Sequence, residues 1–265
     1  MLIASSFTEL QRFDEALPYV QKAIQKSAKP RENWYLLELA IYFEKKRFRD
    51  AVRVARKMLQ YWPDKPSYWE ILFGAYLELG EDKNALDVIM VAYSKGLVST
   101  ESKILSVVQL NLALDTPFVA GTILEREISA GTVESNKKNL DMLLQAWLAA
   151  REYQRAIATI DKIAPLNEDG EYYMRKAGIY NELGEWQNVT DAAKQALDSG
   201  LSKPAEAHML IGMAYSELER YTDSIEAFSR ARELIERGKR QGVDAWIAFV
   251  EEKISLANAS VASSN

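Results

Sequence analysis

The chain has 265 residues and carries 33 basic against 38 acidic side chains, a net charge of −5 that disfavours nucleic acid as a partner. It has no cysteine and a single histidine, His208, which excludes disulfides, thiolate nucleophiles, zinc–thiolate centres and any site needing two imidazoles. Twelve glycines and seven prolines are few for this length and favour helix, and no apolar run reaches the ~20 residues of a membrane span.

The predicted elements are paired helices with a period near 35 residues. Small or slender anchors fall at Ala16, Ala51, Ala85, Ala120, Ala156, Val189 and Ser224, in steps of 35, 34, 35, 36, 33 and 35. Nine residues before each anchor stand Phe7, Tyr42, Tyr76, Asn111, Trp147, Tyr180 and Tyr215. Sixteen before, from the second copy onward, stand Tyr35, Trp69, Ile104, Leu140, Tyr173 and His208. Positions seven apart share a helix face, so these two columns line one side of a first helix. The anchor then lets a second helix approach closely while the aromatic fills the gap.

In chain order, the first copy spans 1–28, and Met1 falls inside its first helix; a complete array begins with a capping repeat, so the sequence is expected to be a segment of a longer protein or to have had its natural N-terminus removed. The second, 32–65, carries the basic run Lys45, Lys46, Arg47, Arg49, Arg53, Arg56 and Lys57 across its turn and second helix. That run reads as a solvated convex face, with an anionic-lipid or acidic-partner patch as the competing reading. The third, 66–99, turns at Gly80, which suits a left-handed helix end. The fourth, 101–134, is degenerate: Asn111 replaces an aromatic, Glu127 replaces a small residue, Gly121 lies inside the second helix, and Thr116–Pro117 reads as an N-cap followed by proline at N1. The fifth, sixth and seventh copies span 137–169, 170–204 and 205–237. Gly242–Ile254 is amphipathic and reads as a capping helix, and 256–265 as a frayed polar tail.

No phosphate loop, GxSxG or HExxH motif occurs. His208 sits in a core column and reads as a packed histidine; Glu81–Asp82 and Glu251–Glu252 read as solvated helix faces. The expectation is no catalytic residue, no cofactor and no metal.

Seven copies in phase resemble the tetratricopeptide repeat, most clearly in AEAHMLIGMAYSELERYTDSIEAFSRA at 205–231 and YWEILFGAYLELGEDKNALDVIMVA at 68–92. The resemblance implies an all-α, right-handed solenoid of seven hairpins plus the capping helix over residues 1–255. It also implies a peptide- or protein-binding concave surface lined by the first helices. At the lining offsets the candidates are Leu36, Phe43, Glu70, Leu77, Glu78, Leu105 and Leu112, then Asp141, Leu148, Met174, Glu182, Met209, Met213 and Glu217. With Glu44, Glu171 and Glu206, the acids on these columns number eight against one base, Lys138. A partner segment with basic and apolar residues would match. A carboxylate clamp of the kind that holds chaperone tails is not supported, because Asn33 and Leu36 stand where cations would be needed.

The runs ENWYLLELAIYF (32–43), WPDKPSYWEIL (62–72) and AWLAAREYQRAI (146–157), with the Trp246 helix, are similar to bacterial repeat proteins that accompany TonB–ExbB–ExbD systems. That resemblance implies a periplasmic accessory with TonB–ExbB–ExbD components as partners. The competing reading is a structural module that forms homo-oligomers through its open first repeat.

Overall fold

A computed structural model describes residues 1–167 and 169–263. Among the described residues there are fifteen α-helices, two 3-10 turns at Ala164–Leu166 and Arg237–Lys239, and no strand. The chain forms two compact units, Met1–Glu134 and Ser135–Asn265.

The first unit is four hairpins: α1 (Leu2–Glu9) with α2 (Phe13–Lys26), α3 (Glu32–Glu44) with α4 (Phe48–Tyr61), α5 (Pro66–Glu78) with α6 (Asp82–Ser94), and α7 (Glu101–Ala113) with α8 (Pro117–Ser129). The second is three hairpins and a closing helix: α9 (Lys137–Ala149) with α10 (Tyr153–Ile163), α11 (Glu171–Leu183) with α12 (Trp186–Asp198), α13 (Pro204–Glu217) with α14 (Tyr221–Leu234), and α15 (Gln241–Ser263). The all-α array of repeat hairpins expected from the period is the fold observed.

The period has a direct physical cause. All seven anchors are 0% exposed, so each is the point of closest approach between the two helices of its hairpin. The larger residues nine positions earlier fill the adjoining space, with Tyr42 and Trp147 wholly buried.

Every hairpin turns in the same way. One residue enters the left-handed region five positions before the anchor: Gln11, Lys46, Gly80, Asp115, Arg151, Gly184 and Glu219, with φ between 53 and 70°. The next amide then donates to the carbonyl of the residue nine before the anchor, from Arg12 to Phe7 at 2.8 Å through Arg220 to Tyr215 at 2.8 Å. This back-bond satisfies a carbonyl that the helix end would otherwise orphan. The aromatic column therefore holds both the packing and the turn.

The fourth hairpin closes differently. The Asn111 side chain is 2% exposed, donates to the Val107 carbonyl at 2.8 Å and accepts from the Thr116 hydroxyl at 2.9 Å. Thr116 thereby departs from the expected capping role: its hydroxyl is drawn back to Asn111 and does not cap α8. Pro117 does occupy the first turn of α8. Glu127, at a small-residue position, accepts from the Tyr93 hydroxyl at 2.6 Å and so ties α8 to α6. Burial and that bond push the Tyr93 phenol up to about 12.

At the end of the second unit, Trp246 of α15 stacks on Phe228 with centroids 5.7 Å apart, and Val243 and Val250 are buried beside it. The segment expected to fray continues α15 as far as Ser263, because SLANASVAS contains neither glycine nor proline to stop a helix. Residues 264–265 of that segment lie outside the described residues.

Candidate interaction faces

In each unit the first helices of successive hairpins present one face and the second helices the other. Side-chain position along a first helix is fixed by the buried columns. With the −16 and −9 columns turned inward, residues at −15, −8 and −7 are rotated to the flank that the second helix does not cover.

In the first unit, Leu36 and Leu77 are 39% and 41% exposed, and Glu78 is exposed, with no bonded partner among the described residues. Leu105 and Leu112 are half-buried. Phe43 is drawn into the core and meets the edge of Phe48 at 5.7 Å. Glu70 is not a free acid: Lys103 of α7 reaches it at 2.5 Å.

In the second unit, Leu148, Met174, Met209 and Met213 are half-buried, while Glu182 and Glu217 are exposed. Asp141 accepts from the Tyr172 hydroxyl at 2.6 Å. Burial and that hydrogen bond push the Tyr172 phenol up to about 12. Met209, Leu234 and Ile235 line a largely apolar cavity of about 420 Å³ with Pro204 and Ala205. The three methionines give this face an adaptable apolar surface.

The paired acids belong to a set that sequence reasoning missed. Glu32 of α3 accepts from Lys65 and from Tyr68. Glu70 takes Lys103, Asp141 takes Tyr172, and Glu171 takes the Ser202 hydroxyl at 2.5 Å. Glu101 accepts from the Glu134 amide at 3.1 Å. Each pair joins residues 31 to 36 apart, about one repeat period, so each acid reaches either the next copy or the connection that leads into it. The signal was present as acids recurring near the start of first helices. Their partners vary in type, so no single residue column exposes them. The consequence is a smaller free negative charge than eight acids against Lys138 suggested.

The basic run on α4 is also largely engaged. Lys45 pairs with Asp14 at 2.5 Å, and Arg47 and Arg53 flank Asp50 at 2.7 and 2.9 Å. Arg56 lies over the Tyr76 ring and Lys57 over the Tyr35 ring, at 5.6 and 5.7 Å from the centroids. Lys46 and Arg49 remain exposed, and Lys46 is the left-handed turn residue. The run is thus mostly packing and turn chemistry.

His208 is half-buried, and burial, with Arg230 nearby, lowers its pKa and favours the neutral ring. Among the described residues no group of three or more His, Asp or Glu could hold a metal ion, and no helix is long and apolar enough to cross a membrane.

The tetratricopeptide repeat profile matches residues 183–237, the sixth turn through the seventh copy. No curated protein matches the chain. Among solved structures, a chain in the structure of Naa15/Naa10 bound to HypK-THB matches 94% of this chain at 12% identity, with a TM-score of 0.68. This chain spans 38% of that one. A tetratricopeptide repeat protein from Parabacteroides merdae matches at 14% identity and a TM-score of 0.42, over 94% of this chain and 96% of that one. The TPR2AB domain of yeast Sti1, in complex with an HSP90 peptide, matches at 14% identity and 0.43, over 94% and 95%. At these identities the likeness is one of fold.

Proposed function

We propose that the protein is a non-enzymatic scaffold that holds a protein or peptide partner on the first-helix faces of its units. The observation that carries this reading is the pairing of exposed or half-buried apolar side chains with unpaired acids on those faces. Leu77 stands beside Glu78 in the first unit, and Met213 is close to Glu217 on α13 in the second. Apolar anchors supply lasting affinity, and acids speed the encounter with a basic segment. The structures of Naa15/Naa10 with HypK-THB and of the Sti1 domain with an HSP90 peptide are of proteins with bound protein or peptide.

The test is photo-crosslinking in the native host. A crosslinking amino acid at Leu77 or Met213 is expected to trap a discrete partner, and one at Arg49 or Phe118 on the second helices is not. Crosslinks confined to Arg49 or Phe118 would move the interface to the other face.

The sequence resemblance extends the proposal to an exported accessory of a TonB–ExbB–ExbD system. Cell fractionation and identification of the crosslinked partner test it; a cytoplasmic protein with an unrelated partner overturns that extension alone. A second reading, self-assembly, is favoured by Leu2 and Ile3 on α1 and Leu10 just after it, which are 88%, 56% and 64% exposed. Light scattering that stays monomeric across concentration removes it.

A further inference from the structure

A slot of about 350 Å³ opens on the second-helix side of the first unit, walled by α2 and α4 and floored by α3. Its floor breaks the rule of the repeat. Thirteen residues before the anchors stand Ile3, Glu38, Leu72, Val107, Leu143, Lys176 and Ile211, an apolar column in five copies. Lys176 is answered by Asp161 at 2.6 Å. Glu38 is 7% exposed and has no cation within ion-pair reach among the described residues; Oε1 accepts two long bonds, from Gln21 and Tyr42, each 3.3 Å. A buried carboxylate left this way is costly, and the scaffold does not require it.

Two more observations fall on the same slot. Tyr35, 1% exposed, lines it, and its hydroxyl makes no well-formed hydrogen bond, although Lys57 and Tyr61 lie near it. On the α4 wall stand Lys57, which has no acid partner, and Arg53, which pairs with Asp50. The equivalent slot of the second unit, also about 350 Å³, is chemically closed. There Ile211 replaces Glu38, Lys194 donates to Tyr215 at 2.7 Å, and Arg230 pairs with Glu226 at 2.7 Å. The buried carboxylate in the floor is therefore specific to the first-unit slot and not a property of the repeat; the second slot has half-buried His208 at the Tyr35 position.

We propose that this slot binds a small zwitterion of the amino-acid class, its ammonium on Glu38 and Tyr35 and its carboxylate on Lys57 and Arg53. A negative floor and a positive wall match a ligand whose two charges lie a few bonds apart, and the volume falls within the ~300–1,000 Å³ range of small-molecule sites. The buried Glu38 carboxylate then gains the cationic partner that the fold withholds, and Lys57 an anionic one.

The test is calorimetric titration of the whole chain with the free L-amino acids and 4-aminobutyrate, with putrescine (two ammonium groups) and glutarate (two carboxylates) as controls that carry charge of one sign only. At least one zwitterion is expected to bind saturably, more tightly than either control. Glu38→Leu restores the column residue and retains the helical spectrum; it is expected to weaken binding about tenfold or more. Lys57→Gln is expected to weaken it several-fold. Ile211→Glu, in the second unit, should leave it unchanged. Absence of saturable binding by every zwitterion at millimolar concentration, undiminished affinity in Glu38→Leu, or equal binding of putrescine or glutarate overturns the proposal.

Discussion

Two glycines show how little room a single residue has in this fold. Gly212 faces Phe228 so closely that a Cβ would lie 2.7 Å from the ring. Gly170 precedes α11, and a Cβ there would lie 2.7 Å from the Ala196 carbonyl carbon and still nearer its oxygen. A ring can tilt and a helix backbone cannot. Gly212→Ala should therefore cost about 1–3 kcal/mol, and Gly170→Ala more, both read as lower urea midpoints. Equal, negligible shifts would mean that α11 and α13 stand further from their neighbours.

Tyr93 and Tyr172 are the titratable counterparts of this crowding. Both phenols are raised to about 12, by burial first and then by a hydrogen bond to Glu127 or Asp141. A pKa raised on folding contributes stability that is fully present below the unfolded value near 10 and is lost as pH climbs through 12. Absorbance titration of tyrosinate should show a late-titrating class that coincides with alkaline unfolding. Tyr172→Phe should remove one member of it. A single class titrating near 10 would contradict the burial.

At the scale of the element, the turn between paired helices explains what could and could not be read beforehand. The small anchors and aromatic columns were legible because packing demands a residue type at a fixed spacing, and all seven anchors prove wholly buried. The left-handed turn residue was legible only at Gly80 and Gly184. Gln11, Lys46, Asp115, Arg151 and Glu219 adopt the same conformation without glycine's signature. The back-bond to the aromatic column holds them there despite a steric cost of roughly 1–2 kcal/mol each. Lys46→Gly, Arg151→Gly and Glu219→Gly should each stabilise by about 0.5–1 kcal/mol, the relief being partly offset by unfolded-chain entropy. Urea melts measure this, and uniform loss of stability would show that the turns are relaxed. Cross-copy ties such as Lys103 to Glu70 were illegible for a different reason: they depend on which side chains adjacent copies bring together, not on a repeated residue type.

At the scale of the molecule, the free acids decide how a partner would be drawn to the first-helix faces. With Glu70 paired to Lys103 and Glu206 to Lys203, the negative field on those faces rests on Glu44, Glu78, Asp141, Glu171, Glu182 and Glu217; the hydroxyls that bond Asp141, Glu171 and Glu182 leave their charge in place. Surface charges interact over about 10 Å at moderate salt, so scattered carboxylates steer an encounter and add little once the complex is formed. The half-buried Met209 and Met213 contribute the reverse: they act only after contact, by leaving water. Once the crosslinked partner is in hand, the two roles separate kinetically. Glu78→Lys and Glu182→Lys together should lower the association rate several-fold and flatten its dependence on salt, with the dissociation rate nearly unchanged. Met213→Ala should raise the dissociation rate about fivefold or more and leave association alone. Glu70→Gln is the internal control, since its charge is already spent on Lys103: it should leave the association rate unaltered while lowering the urea midpoint slightly. Stopped-flow association across a salt series reads all three. An association rate that follows Glu70 but not Glu78 and Glu182 would show that the Lys103 tie opens in solution and that the face is more negative than its folded pairs allow.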